Sequence, residues 1–273
     1  MKNNIISLGM SNLSKGLNEN SFTSLDITKK YLEAIKIKNR TLNAFINTLE
    51  ESAIWESKKS DKRRRDGKEL SPIDGIPIAI KDNIDIKHII TTGGIKAYRN
   101  EISKEDSFIV KLLKDAGAVI LGKLNMHEAA LGATTQNEFY GKCNNPHYIG
   151  FTPGGSSGGA GSAVAAGLCA GAIGTDTLGS IRIPASFCGT VGFKPTFGRI
   201  SNRGIMPLCK MLDHAGPITR SVEDASLLFE IISKFDFADP ECKNMKPYIH
   251  NSDLYIKSLH GKNIGFIDNN NIS

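Results

Sequence analysis

Between Phe151 and Thr196 the chain reads FTPGGSSGGAGSAVAAGLCAGAIGTDTLGSIRIPASFCGTVGFKPT, and no other stretch narrows the choice of fold so far. Gly154-Gly155-Ser156-Ser157-Gly158-Gly159 lacks Cβ at four of six positions, so the backbone can take positive φ and pass close to a ligand. From Ala160 to Ala170 nothing larger than Val164 or Leu168 occurs. That run predicts a helix packed tightly against a sheet, with Ser156 and Ser157 beside its first N–H groups and its positive dipole end. A short strand at Ala172 and Ile173 then leads into a second tight turn, Gly174-Thr175-Asp176-Thr177-Leu178-Gly179, which carries Ser180.

A lysine approaches from upstream. In Asp74-Gly75-Ile76-Pro77-Ile78-Ala79-Ile80-Lys81-Asp82 nearly every position from Ile76 to Ile80 is apolar, as suits a central strand covered on both faces. Lys81 stands at its carboxyl end, where open α/β sheets gather their chemistry. Lys81 precedes Ser156 by 75 residues, and Ser156 precedes Ser180 by 24. Three such blocks in this order resemble the amidase signature family, whose members hydrolyse amides with a Ser–Ser–Lys triad. The resemblance runs from residue 20 to residue 235 and faintly beyond. It implies an α/β fold with a mixed, mainly parallel twisted sheet covered by helices on both faces. The glycines also match G-x-S-x-G, the nucleophile elbow of α/β-hydrolases, but Pro146 and Pro153 spoil the strand that elbow needs. No Lys follows them as in a phosphate loop, and no G-x-G-x-x-G begins after a strand. A glycine loop with packing duties alone is the remaining reading, and the other two blocks weigh against it.

The rest of the chain agrees with this architecture. Thr23 and Asp26 form a capping box for a helix over 23–38, with Ile27, Tyr31 and Ile35 on one face. A short strand at Ala44 to Ile46 follows, then a polar helix ending in Lys58, Lys59, Lys62, Arg63, Arg64, Arg65 and Lys68. This run carries much of the net charge of +6; Asp61 and Asp66 break it and no aromatics interleave, so it reads as a solvated helix end. A helix over 106–115 and a strand at Ala118 to Leu121 repeat the helix-then-strand order seen at 157–170 and 171–175. Further expectations are a helix at Met126 to Leu131, a loop-rich stretch from Thr196 to Pro217 and a helix over 221–233. Residues 236–262 read as irregular, and Ile264 to Ile267 as one more strand. Residues 1–70 are expected to be an N-terminal helical segment packing on a catalytic core of residues 71–273. Relatives in the family are longer, so the core is expected to be incomplete at its C-terminus, a fragment or a shortened form completed by another chain.

An amide carbonyl is a poor electrophile, so its hydrolysis needs an activated nucleophile and a stabilised oxyanion. The resemblance implies that Ser180 attacks and forms an acyl-enzyme, Ser156 relays the proton, and Lys81 is the base. Bringing a lysine from about 10.4 to about 7 costs roughly 4.6 kcal/mol, which burial can supply if Asp82 and Asp176 point elsewhere. The resemblance further implies a cis peptide before Ser156 and oxyanion donors from the backbone N–H groups of Thr177, Leu178, Gly179 and Ser180. Relatives have Gly-Gly-Ser where this chain has Leu178-Gly179-Ser180, and the leucine raises the question of strain against a narrowed pocket. Asp176 and Arg182 are expected to brace the loop, and Gly154, Gly155, Thr134 and Thr135 to contact substrate. Neither a cofactor nor a metal is implied, and the six histidines include no H-E-x-x-H. Five widely spaced cysteines with no C-x-x-C fit a reducing cytoplasm. There is no apolar run long enough for a transmembrane helix.

The resulting expectation is an amidohydrolase acting on a small-molecule linear carboxamide. An alternative is the glutamine-hydrolysing component of a tRNA-dependent amidotransferase, the one reading that would bring in nucleic acid. A third is a truncated, catalytically impaired homologue serving as a binding protein. A homo-oligomer or a partner subunit is compatible with each of them.

Overall fold

The computed structural model describes residues 2–250 and 261–263. Its strands are β1 (Phe45–Thr48), β2 (Pro77–Lys81), β3 (Val119–Leu124), β4 (Gly171–Asp176), β5 (Val191–Gly192) and β6 (His214–Thr219). They form one sheet in the order β1-β3-β2-β4-β6-β5. Strand β2 runs parallel to both β3 and β4. The outer pairings of β1 with β3, β6 with β4 and β5 with β6 are antiparallel. Hence β2, β3, β4 and β5 share one direction against β1 and β6, and the sheet is mixed and mainly parallel. Every residue of β2, β3 and β4 is buried, as continuous apolar strands require.

Helices cover both faces. A Cβ added at Gly171 of β4 would meet Leu228 and Met10 at 3.1 and 3.3 Å, whereas one at Gly174 would meet Ser157 at 3.0 Å. Residues three apart on a strand face opposite sides. One side is therefore covered by α1 (Met10–Asn18) and α7 (Val222–Ile232), the other by α5 (Gly158–Ala165). Small residues let α5 come that close. A Cβ on Gly159 would lie 2.3 Å from the Asn125 carbonyl oxygen and 2.7 Å from that of Ala44.

The N-terminal residues supply more than a helical cover. Helix α2 (Ser24–Leu42) starts with both bonds of the Thr23–Asp26 capping box and ends on Asn43 in the left-handed conformation. Strand β1 then joins the sheet as its edge, before α3 (Glu50–Arg65). In α4 (Phe108–Asp115) the Ser107 hydroxyl caps the first turn, as the Ser221 hydroxyl does for α7.

Two expectations change, and helix α6 is an element that the sequence did not announce. Met126 to Leu131 is not an α-helix: only a 3-10 turn forms at Glu128–Ala130, with Ala129 and Ala130 at φ 52° and 59°. The two left-handed alanines break the helical path, and the turn is tied to its surroundings by His127 N–H donating to Ser156 O and Ala129 N–H to Gly93 O. The stretch from Thr196 to Pro217 ends in strand β6, despite its Gly216-Pro217. Helix α6 (Arg182–Cys188) follows the second serine turn, with Pro184 in its first turn where no amide donor is needed. The strand expected at Ile264 to Ile267 lies outside the described residues.

Candidate active site

Lys81 ends β2, fully buried, with Nζ donating to Ser156 Oγ at 2.7 Å and to Thr175 Oγ1 at 2.7 Å. Burial pushes its ammonium down to about 7, against the opposing pull of Asp176 and Asp213. A buried amine of that kind can serve as a base near neutrality. Asp82, its neighbour, turns away: its carboxylate receives the Thr92 hydroxyl and lies 3.4 Å from Nζ of Lys123, a second buried lysine. Burial raises the Asp82 carboxyl and lowers the Lys123 ammonium.

Ser156 follows a cis Gly155–Ser156 peptide at the entry to α5. The loop before it is clasped by Thr135, whose hydroxyl donates to Gly154 O at 2.8 Å and accepts the Gly158 N–H at 3.0 Å. Gly154 has φ 80°, and a Cβ there would lie 2.9 Å from Pro184 Cα. A Cβ on Gly155 would lie 2.7 Å from the amide nitrogen of Thr134. Gly154, Gly155, Thr134 and Thr135, the expected substrate contacts, build the scaffold that presents Ser156.

Ser180 comes to the same place from β4. The Ser157 N–H donates to Ser180 O at 3.2 Å, and the half-buried Ser180 hydroxyl has no hydrogen-bond partner among the described residues. Its loop is organised by Asp176, whose carboxylate accepts from Gly179 N–H at 2.7 Å, Ile181 N–H at 3.1 Å and the Arg182 side chain at 2.9 and 3.0 Å. Burial alone would raise this carboxyl; the guanidinium and the amides outweigh it and hold it below the usual range. Asp176 and Arg182 thus brace the loop as expected. Gly179, expected among the oxyanion donors, has its N–H committed to Asp176. The N–H groups of Thr177, Leu178 and Ser180 carry no hydrogen bond among the described residues. Leu178 is 81% exposed and keeps an ordinary φ, so the leucine introduces no backbone strain.

A cleft of about 380 Å³ opens beside the buried lysine, walled by Asn83, Thr175, Thr177, Asn202, Asp213 and His214 among others. Thr177 donates to Asp213 Oδ1 at 2.6 Å, while Asp213 Oδ2 accepts from the amides of Leu208 and Cys209 at 2.9 and 3.0 Å. Asp213 therefore ties the far wall to the serine loop. Sequence reasoning missed Thr175, Asp213 and Asn83; only Asn83 carried a signal, its place two residues after Lys81.

The protein-family model for Amidase matches residues 26–272. The glutamyl-tRNA(Gln) amidotransferase A component of Prochlorococcus marinus (strain MIT 9211) is 42% identical over 251 residues, covering 92% of this chain and 51% of the relative. The native peptide amidase from Stenotrophomonas maltophilia superposes with a TM-score of 0.84 at 37% identity, over 89% of this chain and 51% of its own. A chain of a vestigial protein complex that reveals the evolutionary origins of an s-triazine catabolic enzyme gives 0.86 at 40% identity, over 88% and 53%. The chain spans about half the length of the relatives it matches.

Proposed function

The chain belongs to the amidase family, and on that premise we propose that it hydrolyses the C–N bond of a linear carboxamide through Ser180, Ser156 and Lys81. The observation that carries this reading is the buried Lys81 Nζ, 2.7 Å from Ser156 Oγ and shifted to about 7 by burial. Ser180 Oγ attacks the carbonyl carbon, its proton passes to Ser156, and the Ser156 proton passes to neutral Lys81. Returning along the same relay, the proton reaches the leaving nitrogen as the C–N bond breaks, leaving an acyl-Ser180. Water then attacks the ester by the same relay, releasing the acid and restoring Ser180. The N–H groups of Thr177, Leu178 and Ser180 are the candidate donors to the oxyanion, each worth about 10²–10³ in kcat where one is lost. A fluorophosphonate probe should label Ser180, and Ser180→Ala should abolish labelling. Label that remains, and maps to Ser156, would overturn the assignment of the nucleophile.

The second reading is the glutamine-hydrolysing component of a tRNA-dependent amidotransferase, supported by the 42% identity to a relative of that name. In that case the partners are further subunits and, through them, tRNA. Glutamine as the preferred amide, with turnover raised by added partner subunits, would favour it over a stand-alone amidase. Either enzyme suits the cytoplasm, given five free cysteines and, among the described residues, no helix long and apolar enough to cross a membrane.

A further inference from the structure

The proton relay uses one neighbour of Lys81 and leaves another unexplained. Nζ donates to Ser156 Oγ and to Thr175 Oγ1, each at 2.7 Å, and to nothing else among the described residues. Thr175 is buried and firmly held. Its backbone pairs with Ala215 between β4 and β6, and its N–H and C=O both meet the Ser157 hydroxyl, at 3.3 and 3.1 Å. Its own Oγ1 accepts from Asn83 Nδ2 at 3.1 Å.

A proton that reaches Lys81 through Ser156 creates an ammonium where the side chain is fully buried. Such a charge is costly unless hydrogen bonds meet it. An ammonium brings three N–H donors, and Ser156 and Thr175 are the acceptors that the described residues offer. Ser156 belongs to the relay, so its oxygen changes partners as the proton moves. Thr175 stands outside the relay and can accept from the lysine in either charge state. By holding one N–H it also keeps another position of the nitrogen turned toward Ser156. The charges around Lys81 are fixed by other contacts. Asp176 is bound to Arg182 and Asp213 to Thr177, Asp82 lies beside Lys123, and His127 faces the lysine from the turn before Glu128. Among the described residues the Thr175 hydroxyl bonds to none of these, so its removal leaves them in place.

We infer that Thr175 is a positioning residue for the base, its hydroxyl accepting one N–H of Lys81 while Asn83 holds that hydroxyl in place. This rests on the hydrolase reading above only for its kinetic assay. The assay follows kcat/KM against pH with L-glutamine or propionamide, whichever the wild type turns over. Thr175→Val keeps the branched shape and removes the acceptor. Losing one hydrogen bond to a charged group disfavours the ammonium about tenfold to a hundredfold, so the acid limb should move down by about one to two pH units. Thr175→Ala should move it the same way if the valine protein does not fold, and Thr175→Ser should hold it near its wild-type position. Asn83→Ala should move the limb far less in the Thr175→Val background than in the wild type, because Asn83 acts through Thr175. A limb that stays in place without the hydroxyl overturns the inference. So does a limb displaced equally by Thr175→Ser, which would make the effect one of packing. An equal Asn83→Ala shift in both backgrounds overturns the part given to Asn83. If no amide turns over and no phosphonate labels Ser180, the hydrolase reading falls by itself. Carbon-13 spectra of protein labelled at lysine Cε then decide the inference. The signal that is missing from Lys81→Met should titrate at lower pH in Thr175→Val than in the wild type, and equal midpoints overturn it.

Discussion

Lys81 is where sequence, burial and chemistry meet in one side chain. The apolar run of β2 takes it out of water, and the hydroxyls of Ser156 and Thr175 receive it there. Its native value of about 7 lies far below that of an unfolded lysine. Between those two values the unfolded chain binds more protons than the native one. The contribution of Lys81 to stability should therefore rise with pH from about 7 toward about 10.4, so Lys81→Met should be the more stable protein at pH 7 and lose that advantage as the pH climbs through this range. Thermal melts of both proteins across that range check the sign. The same titration predicts that kcat/KM climbs through about pH 7, and that Lys81→Arg stays inactive because a guanidinium remains protonated. Lys81, Ser156 and Ser180 were legible because each sits on a pattern of glycines or of strand residues. Thr175 and Asp213 were not, because a lone Thr or Asp beside glycines or a turn reads as ordinary turn chemistry until the fold bonds Thr175 to the lysine and Asp213 to Thr177.

At the scale of elements, β2 and β3 are joined by a second buried lysine that mirrors the first with an opposite purpose. Lys123 of β3 reaches the Ile84 carbonyl, Thr91 Oγ1 at 2.8 Å and Asp82 Oδ1 at 3.4 Å. Its charge is matched, so it staples the end of one strand to the segment leaving the next. Removing one partner of a buried pair typically costs about 3–5 kcal/mol, whereas replacing both by apolar residues is often neutral. Lys123→Met or Asp82→Leu alone should thus lower stability by that amount, and the double variant should recover most of it, as measured by urea denaturation. The alternation of helix with apolar strand made β2, β3, β4 and α5 readable. Strand β6 was hidden by Gly216-Pro217, yet that glycine is what the sheet requires: a Cβ there would lie 2.2 Å from the Phe193 carbonyl oxygen. Strand β5 is two residues long and offers no periodicity to read. The helix expected at Met126 to Leu131 failed because Ala129 and Ala130 stand at positive φ, a backbone state that periodicity does not reveal.

For the molecule as a whole, the strand order has a kinetic side. Strand β2 pairs with β4 at Ile78 and Gly171, and the lysine contacts that depend on this pairing span 75 residues to Ser156 and 94 to Thr175. Contacts so distant along the chain require a large loop to close before they reward closure, and domains dominated by them fold slowly, in milliseconds to seconds or longer. Helices α2 and α7, held by local caps, need not wait for that event. In refolding from urea, far-ultraviolet helical signal should therefore return ahead of phosphonate reactivity at Ser180, and reactivity should follow the slowest structural phase. Reactivity returning together with the early helical signal would mean that the active site assembles without the central strands. The basic residue and its serine would then be a local unit, and the time the chain takes to bring β2 beside β4 would no longer set the moment at which Lys81 meets Ser156.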